Sequence, residues 1–132
     1  MNQSVLLDTH TLLWWAESEP QLGRGAGDCI ADASRVFVSD VSLWEPAIKV
    51  RAGKLNLRPT FDAWVARCRS QPRLASLPID LAHIRHTTVL PLHHRDPFDR
   101  LLVAQALVED LTIITVDRAF AAYGASVLGA DT

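Results

Sequence analysis

Short apolar runs alternate with segments of helical periodicity along the chain. The runs are apolar, contain β-branched residues and end at acids or turn residues, so they predict strands at 4–7, 35–39, 111–116 and 126–128. Periodic apolar positions between them predict helices at 9–17, 21–33, 42–52, 61–69, 79–88 and 97–110. Because apolar strands separated by helices form parallel sheets covered on both faces, we predict a three-layer α/β/α fold with a mainly parallel central sheet.

Two of these helices carry clear end signals. Asp96 is a good N-cap and Pro97 suits the first helical position, where its missing N–H costs no hydrogen bond. Residues 97–110 are apolar almost all round, which predicts a central helix buried on both sides. Gly53 is expected to be the first residue beyond helix 42–52.

Composition excludes several classes of protein. With 132 residues, 48% hydrophobic and 21% charged, the chain is expected to form one globular domain over 1–132. A net charge of −2 is not that of a general polyanion binder, so a nucleic-acid site would need a local basic patch. The apolar runs are too short for a bilayer, the first residues do not resemble a secretory signal, and Cys29 and Cys68 lack CxxC spacing. We therefore expect a cytoplasmic protein with no membrane association.

Four acids stand at the junctions between predicted elements: Asp8, Glu45, Asp99 and Asp117. Each has a structural explanation when it is taken alone. Asp8 and Asp117 are placed to cap the segments that follow them, and Ser42 and Glu45 match the spacing of a capping box. Asp99 falls on the third residue of its helix, where an acid favours the helix dipole.

Taken together, the acids suggest a metal site. The carboxyl ends of parallel strands meet at one edge of a sheet, so Asp8 and Asp117 are expected there, joined by Asp99 if its helix begins at that edge. Carboxylates about 5 Å apart repel by roughly 3 kcal/mol per pair at an effective dielectric near 20. Since Mg²⁺ and Mn²⁺ prefer oxygen ligands, the cluster indicates a divalent-metal site that acts on a phosphate ester.

Four blocks of sequence resemble the PIN-domain ribonucleases, and in particular the VapC-type toxins of type II toxin–antitoxin pairs. They are VLLDTHTLLWW, VSLWEPAIKVRAGKL, HHRDPFDRLLVAQAL and IITVDRAF, and the resemblance runs from Val5 to about Leu128. It implies a PIN-like fold and an endoribonuclease that uses Mg²⁺ or Mn²⁺ and a metal-activated water to leave a 5′-phosphate and a 3′-hydroxyl. It also implies a homodimer, an RNA substrate and a cognate antitoxin on a separate chain that blocks the acidic pocket.

The resemblance also implies roles for single residues. The catalytic metal ligands would be the four junction acids, Asp8, Glu45, Asp99 and Asp117. Asp96 would cap its helix and support the ligands without binding the metal directly. Thr9 and Thr115 are candidates to hydrogen-bond the ligating carboxylates, since metal ligands need oriented partners.

Basic residues near the acids suggest contacts with RNA. A basic stretch close to Glu45 consists of Lys49, Arg51, Lys54 and Arg58, and the first three are candidates to contact phosphates. The alternatives are a solvated helix face and, for Lys49, an ion pair with Glu45 four residues earlier. Three more basic residues flank the acids and are candidates to steer substrate or orient carboxylates: Arg95, Arg100 and Arg118.

Pro46 departs from the family pattern and leaves alternatives open. A proline directly after Glu45 implies either that the helix begins at Pro46 or that its first turn is distorted, and both would move Glu45. One alternative is therefore a non-catalytic PIN-like module that binds RNA or protein. Another is a different Asp-dependent phosphohydrolase on an α/β sheet. A phosphatase with an aspartyl nucleophile would need an acid two residues after Asp8, where this chain has His10.

Overall fold

A computed structural model describes residues 3–93 and 95–132 of the chain. In this part of the chain, five strands form one sheet in the order β3-β2-β1-β4-β5, and every neighbouring pair is parallel. The strands are β1 (Val5–Leu7), β2 (Val36–Ser39), β3 (Leu74–Leu77), β4 (Thr112–Thr115) and β5 (Val127–Gly129). The helices are α1 (Thr9–Ala16), α2 (Arg24–Asp32), α3 (Val41–Arg51), α4 (Phe61–Arg69), α5 (Leu81–Thr87) and α6 (Pro97–Glu109), and a 3-10 turn covers Arg118–Tyr123.

Strand β1 is the centre of the sheet and is fully buried. Its register aligns Leu7 with Val38 of β2 on one side and with Ile114 of β4 on the other. Successive side chains of a strand point to opposite faces, so Leu7 enters the core under α1, α2 and α4 while Leu6 enters the core under α6. Both cores are apolar, which confirms the predicted three-layer architecture with helices on each face.

Strand β3 and the 3-10 turn were not predicted from the sequence. Residues 74–77 lie at the edge of the sheet, and only Leu77 is buried. The segment LASL shows neither a β-branched run nor a clear alternation of apolar and polar residues, so its strand conformation depends on pairing with β2. The other predicted elements are present, with ends shifted by up to three residues.

Helix α3 begins one residue earlier than predicted, at Val41, and the capping-box prediction is wrong. Asp40 is the N-cap residue, Ser42 is a buried helical residue, and Val41 N donates to Ser39 Oγ over 3.0 Å. Pro46 lies inside the helix, so the helix does not begin there. The first turn of the helix lies before Pro46 and is closed by a hydrogen bond, since Trp44 N donates to Asp40 O over 2.9 Å.

Helix α6 is buried in its middle but not along its whole length. Its residues 102–106 are buried against the sheet and α5, whereas Val108 is 39% exposed, which corrects the expectation of burial on both sides throughout. With 13 residues, α6 is also the longest helix in the described part of the chain. None of the helices formed by the described residues combines the length and apolar composition needed to cross a membrane.

Candidate active site

Asp8 lies where the two central strands end. Because Leu7 pairs with Ile114, the next residue of each strand brings Asp8 beside Thr115. Asp8 is only 7% exposed, and both of its carboxylate oxygens are held in place. Thr11 N donates to Oδ1 over 2.9 Å, and Thr115 Oγ1 donates to Oδ2 over 2.5 Å. The N-cap role expected for Asp8 therefore coexists with a bond to the neighbouring strand.

Thr115 connects Asp8 to Asp117. Its hydroxyl donates to Asp8 and accepts from Asp117 N over 3.0 Å. Asp117 Oδ1 in turn accepts from Ala119 N over 3.0 Å, so this acid caps the 3-10 turn. The backbone of Thr115 is fixed as well, since Ala130 N donates to its carbonyl over 2.9 Å. One buried hydroxyl thus sets the relative position of two candidate ligands.

Glu45 reaches the same edge through Thr9. Thr9 Oγ1 donates to Glu45 Oε1 over 2.8 Å and lies 3.4 Å from Ser42 Oγ. Since Thr9 directly follows Asp8, this bond places the Glu45 carboxylate on the Asp8 side of α3. Lys49 Nζ lies 3.7 Å from Glu45 Oε2, one helical turn away. Pro46 therefore leaves Glu45 hydrogen-bonded to the residue that follows Asp8.

Asp99 lies in the first turn of α6, close to the first turn of α3. The N-cap residue is Asp96, whose Oδ1 accepts from Phe98 N over 2.8 Å. The Phe98 ring packs edge-on against Trp44, with 4.9 Å between the ring centroids. Phe98 and Trp44 directly precede Asp99 and Glu45, so this aromatic pair brings the two acid-bearing turns together.

The direction of α6 also places Asp99 at the carboxyl edge of the sheet. Gln105 Oε1 accepts from Ser39 Oγ over 2.5 Å at the end of β2, and Gln105 Nε2 donates to Pro78 O over 3.4 Å just after β3. Asp99 precedes Gln105 by six residues, which is about 9 Å along the helix axis. It therefore lies beyond the strand ends, on the side where Asp8 and Asp117 are found.

The ligand chemistry fits a hard divalent cation. All four candidate side chains offer carboxylate oxygens, and those of Asp8 are bonded by a neutral hydroxyl and an amide. The possible ligand atoms of Asp80, His83 and Glu109 lie within 4.8 Å of one another. Within residues 3–93 and 95–132, no three of the four acids come this close together. A cation between those acids would therefore keep several waters, which is the usual coordination of Mg²⁺ in proteins.

The group of Asp80, His83 and Glu109 has a structural role. His83 is fully buried, and its Nδ1 accepts from Asp80 N over 3.1 Å. This leaves the proton on Nε2, which faces Glu109 Oε2 at 2.9 Å. Both ring nitrogens are occupied, so His83 joins the start of α5 to the end of α6. The D-x-x-H spacing at residues 80–83 is the only sequence signal for this arrangement.

The basic residues take different positions. Lys49 forms the ion pair with Glu45 that was one of the alternatives for it. Arg51 and Lys54 are exposed at the end of α3. Arg100 does not orient a carboxylate in the contacts described, because its guanidinium donates to the carbonyls of residues 87, 90 and 91 and so holds the connection between α5 and α6. Arg118 is exposed beside Asp117.

Comparison with known proteins identifies the family of this chain. The family model of the PIN domain matches residues 5–125, and the chain belongs to this family. Ribonuclease VapC22 of Mycobacterium tuberculosis (strain ATCC 25618 / H37Rv) is 27% identical over 116 residues, which cover 87% of this chain and 88% of that protein. The resemblance identified from the four sequence blocks is thereby confirmed.

Solved structures of toxin–antitoxin complexes share the fold. VapBC2 from Rickettsia felis, bound to a DNA fragment from its promoter, gives a TM-score of 0.73 at 14% identity and covers 96% of this chain and 98% of that chain. VapBC-5 from Mycobacterium tuberculosis gives a TM-score of 0.61 at 26% identity, with 95% of each chain covered. The three-layer architecture of this chain is therefore that of PIN-domain proteins.

Proposed function

We propose that this chain is a divalent-metal-dependent endoribonuclease and the toxin of a toxin–antitoxin pair. The observation that carries the proposal is the connection of Asp8 to Asp117 through the Thr115 hydroxyl at the adjacent ends of β1 and β4. Membership of the PIN family and the likeness to Ribonuclease VapC22 support the ribonuclease activity. The reaction would hydrolyse RNA phosphodiester bonds and leave a 5′-phosphate and a 3′-hydroxyl.

Each acid has a separate part in this proposal. Asp8, Asp117, Glu45 and Asp99 would hold Mg²⁺ or Mn²⁺, which when bound supplies an activated water and neutralises the charge that develops on the phosphate. Asp8 is pre-oriented by two hydrogen bonds, and Thr9 fixes the rotamer of Glu45. Preorganised oxygens lose little freedom when a cation binds, which favours both affinity and reactivity.

RNA would approach over the face formed by α3 and the strand ends. Arg51 is the last residue of α3, the helix that carries Glu45, and Lys54 lies three residues beyond it; both are exposed and would contact phosphates. Lys49 would reduce the negative potential at Glu45, to which it is paired, while its partly exposed amine faces incoming RNA. Asp96 would act through the cap that holds the first turn of α6, where Asp99 lies.

A cognate antitoxin is the proposed inhibitor of this site. Several proteins with the same fold were solved as toxin–antitoxin complexes. An acidic pocket is complementary to a basic side chain of a partner, which would occupy it in place of the cation. A neighbouring reading frame for a small DNA-binding protein, whose product suppresses cleavage when added, would support this partner. An active chain without such a neighbour would count against it.

We also propose that the chain forms a homodimer in the cytoplasm through α5 and the segment that follows it. Ile84 and Leu92 are 49% and 84% exposed and line a groove of about 500 Å³ together with Pro97 and Leu101. Apolar side chains gathered on one surface are typical of an interface between subunits. Sedimentation should show a dimer for the native chain and a monomer for Ile84→Asp, while a native monomer would exclude the dimer.

Cleavage of RNA tests the nuclease directly. The chain should cut RNA with Mg²⁺ or Mn²⁺, stop when a chelator is added, and lose the activity in Asp8→Asn and Asp99→Asn. Asp99→Asn should be at least as stable as the native chain without metal, because it removes repulsion between acids. Asp28→Asn, which changes an exposed acid on α2, is the matched control. If no cation supports cleavage, the chain is a binding module.

A further inference from the structure

A cavity with both polar and apolar walls adjoins the candidate site on the side of β5. It measures about 350 Å³, and its walls come from the end of β4, the 3-10 turn, β5 and the segment that follows β5. Thr115 and Asp117 belong both to this cavity and to the candidate active site. A molecule bound in this cavity would therefore lie next to the candidate ligands at the ends of β1 and β4.

Two oppositely charged side chains line this cavity without pairing. Arg118 directly follows Asp117 and is exposed, and Asp131 is exposed on the segment after β5. No ion pair joins Arg118 to Asp131 anywhere in the described part of the chain, and neither side chain has a hydrogen-bond partner there. Both groups remain available to a ligand that carries an anion and a hydrogen-bond donor.

We propose that this cavity binds the nucleotide adjacent to the scissile phosphate of an RNA strand. Arg118 holds the phosphate of that nucleotide, and Asp131 accepts a hydrogen bond from an amino group of its base. This inference rests on the proposed nuclease function and adds a substrate contact to it. A nucleotide with an amino-bearing base, such as cytidine, is preferred over uridine.

The chemistry of the two side chains supports a nucleotide over a free phosphate. A guanidinium matches the oxygens of a phosphate in a bidentate arrangement. The carboxylates of Asp117 and Asp131 would repel a free phosphate, which carries close to two negative charges, more strongly than the singly charged phosphodiester of an RNA strand. A base donates to a carboxylate through its exocyclic amino group, and proteins read single-stranded RNA at such edges.

The phosphate contact is tested by salt-dependent binding of a short single-stranded RNA. The measurement uses the Asp8→Asn background so that the RNA stays intact. Arg118→Ala should weaken binding about tenfold and lower the slope of log affinity against log salt by about 0.7, the value for one phosphate on single strands. Arg85→Ala is the matched control, because Arg85 is exposed on α5 and does not line the cavity.

The base contact is tested by comparing oligo(C) with oligo(U). The chain with an intact Asp131 should bind oligo(C) more tightly, because cytosine offers an amino group where uracil offers a carbonyl oxygen. Asp131→Asn should reduce or reverse this preference, since an amide can donate to that carbonyl oxygen. Asp28→Asn removes the same charge from α2 and should keep the preference. Equal losses for both oligonucleotides in Asp131→Asn would overturn the base contact.

The cavity and the nuclease can fail separately. If Arg118→Ala binds RNA with the same affinity and salt slope as Arg85→Ala, the cavity does not bind the phosphate and this proposal is overturned. The nuclease would still be supported if the native chain cleaves RNA with a divalent cation and Asp8→Asn does not. If the native chain cuts no RNA with any divalent cation, the nuclease fails. A reduced salt slope in Arg118→Ala would then still support an RNA-binding cavity.

Discussion

At the scale of single residues, Thr115 decides how the candidate ligands are arranged. It is 1% exposed, and its single hydroxyl serves one acid as a donor and the backbone of a second as an acceptor. Asp8 and Asp117 could be predicted from the sequence because each follows an apolar run. Thr115 was a candidate to hydrogen-bond a ligating carboxylate, but which acids it joins could not be predicted, because Asp8 and Thr115 are 107 residues apart in the chain.

Replacing Thr115 by valine keeps the shape of the side chain and removes the hydroxyl. We expect RNA cleavage to fall about 10- to 100-fold, the usual effect of losing a group that orients a metal ligand. The free energy of unfolding should fall by about 1–2 kcal/mol, because hydrogen bonds to buried groups are lost. Cleavage rates and urea unfolding measure the two effects.

Thr112→Val is the matched control, since Thr112 lies at the opposite end of β4. Its hydroxyl contacts Gln3 and Ser126, both at 3.0 Å and away from the acids. This variant should lose stability and keep its cleavage rate. Equal cleavage by Thr115→Val and the native chain would show that the hydroxyl does not orient a ligand.

Cys68 is predicted to be an unreactive thiol. Burial raises the pKa of Cys68 to about 11, and its neighbour Arg67 only partly opposes this. Fewer thiolates form in the folded chain, so in a Cys29→Ser background iodoacetamide should react about a hundredfold more slowly with folded Cys68 than in concentrated urea at about pH 8. Similar rates in the two states would contradict this.

The raised pKa of Cys68 also has a consequence for stability. Because the folded state favours the neutral thiol, the contribution of this group is fully present below the ordinary pKa of the thiol. It is then lost as the pH rises toward about 11. Urea unfolding across this range should show the decline in the Cys29→Ser background and a smaller one when Cys68 is also replaced by alanine.

At the scale of elements, α3 and α6 show where sequence signals succeed and where they fail. Asp96 and Pro97 mark the start of α6 correctly, and Gly53 follows α3 with φ at 74°, as its predicted position requires. The predicted start of α3 was wrong because Ser42, whose position in the sequence resembles an N-cap, is a buried helical residue next to Thr9. A contact between two helices therefore outweighed the local capping signal.

The cap of α6 can be separated from any role of Asp96 in catalysis. Asp96→Ala should cost about 1 kcal/mol in the free energy of unfolding, whereas Asp96→Ser keeps a capping oxygen and should retain most of the stability. Cleavage rates of the two variants complete the test. If Asp96 acts only through the cap, Asp96→Ser should also keep the activity, and a stable but inactive Asp96→Ser would show that the carboxylate itself is needed.

At the scale of the whole molecule, a bound cation should stabilise the fold by mass action. The melting temperature should rise with the concentration of Mg²⁺ or Mn²⁺, because binding to the folded state alone adds RT ln(1 + [M]/Kd) to its stability. At a concentration one hundred times the Kd, this amounts to about 2.7 kcal/mol. Calorimetry with and without the cation measures the shift.

Asp8→Asn should lose most of this shift, and Asp80→Asn should keep it. The second variant changes Asp80, which belongs with His83 and Glu109 to the group of metal-binding side chains that lie within 4.8 Å of one another in the described residues. A shift that disappears in Asp80→Asn and survives in Asp8→Asn would place the cation at the wrong end of the molecule and would contradict the proposed site.

The sequence by itself determined the layers of this protein and the acids at its strand ends. Apolar runs and helical periodicity are local properties, and an acid after a buried strand can be recognised without knowing its neighbours. Only the tertiary structure decided the edge strand β3 and the cavity between Arg118 and Asp131. These features depend on which of several possible partners a side chain or strand meets, and that choice is made when distant segments pack together.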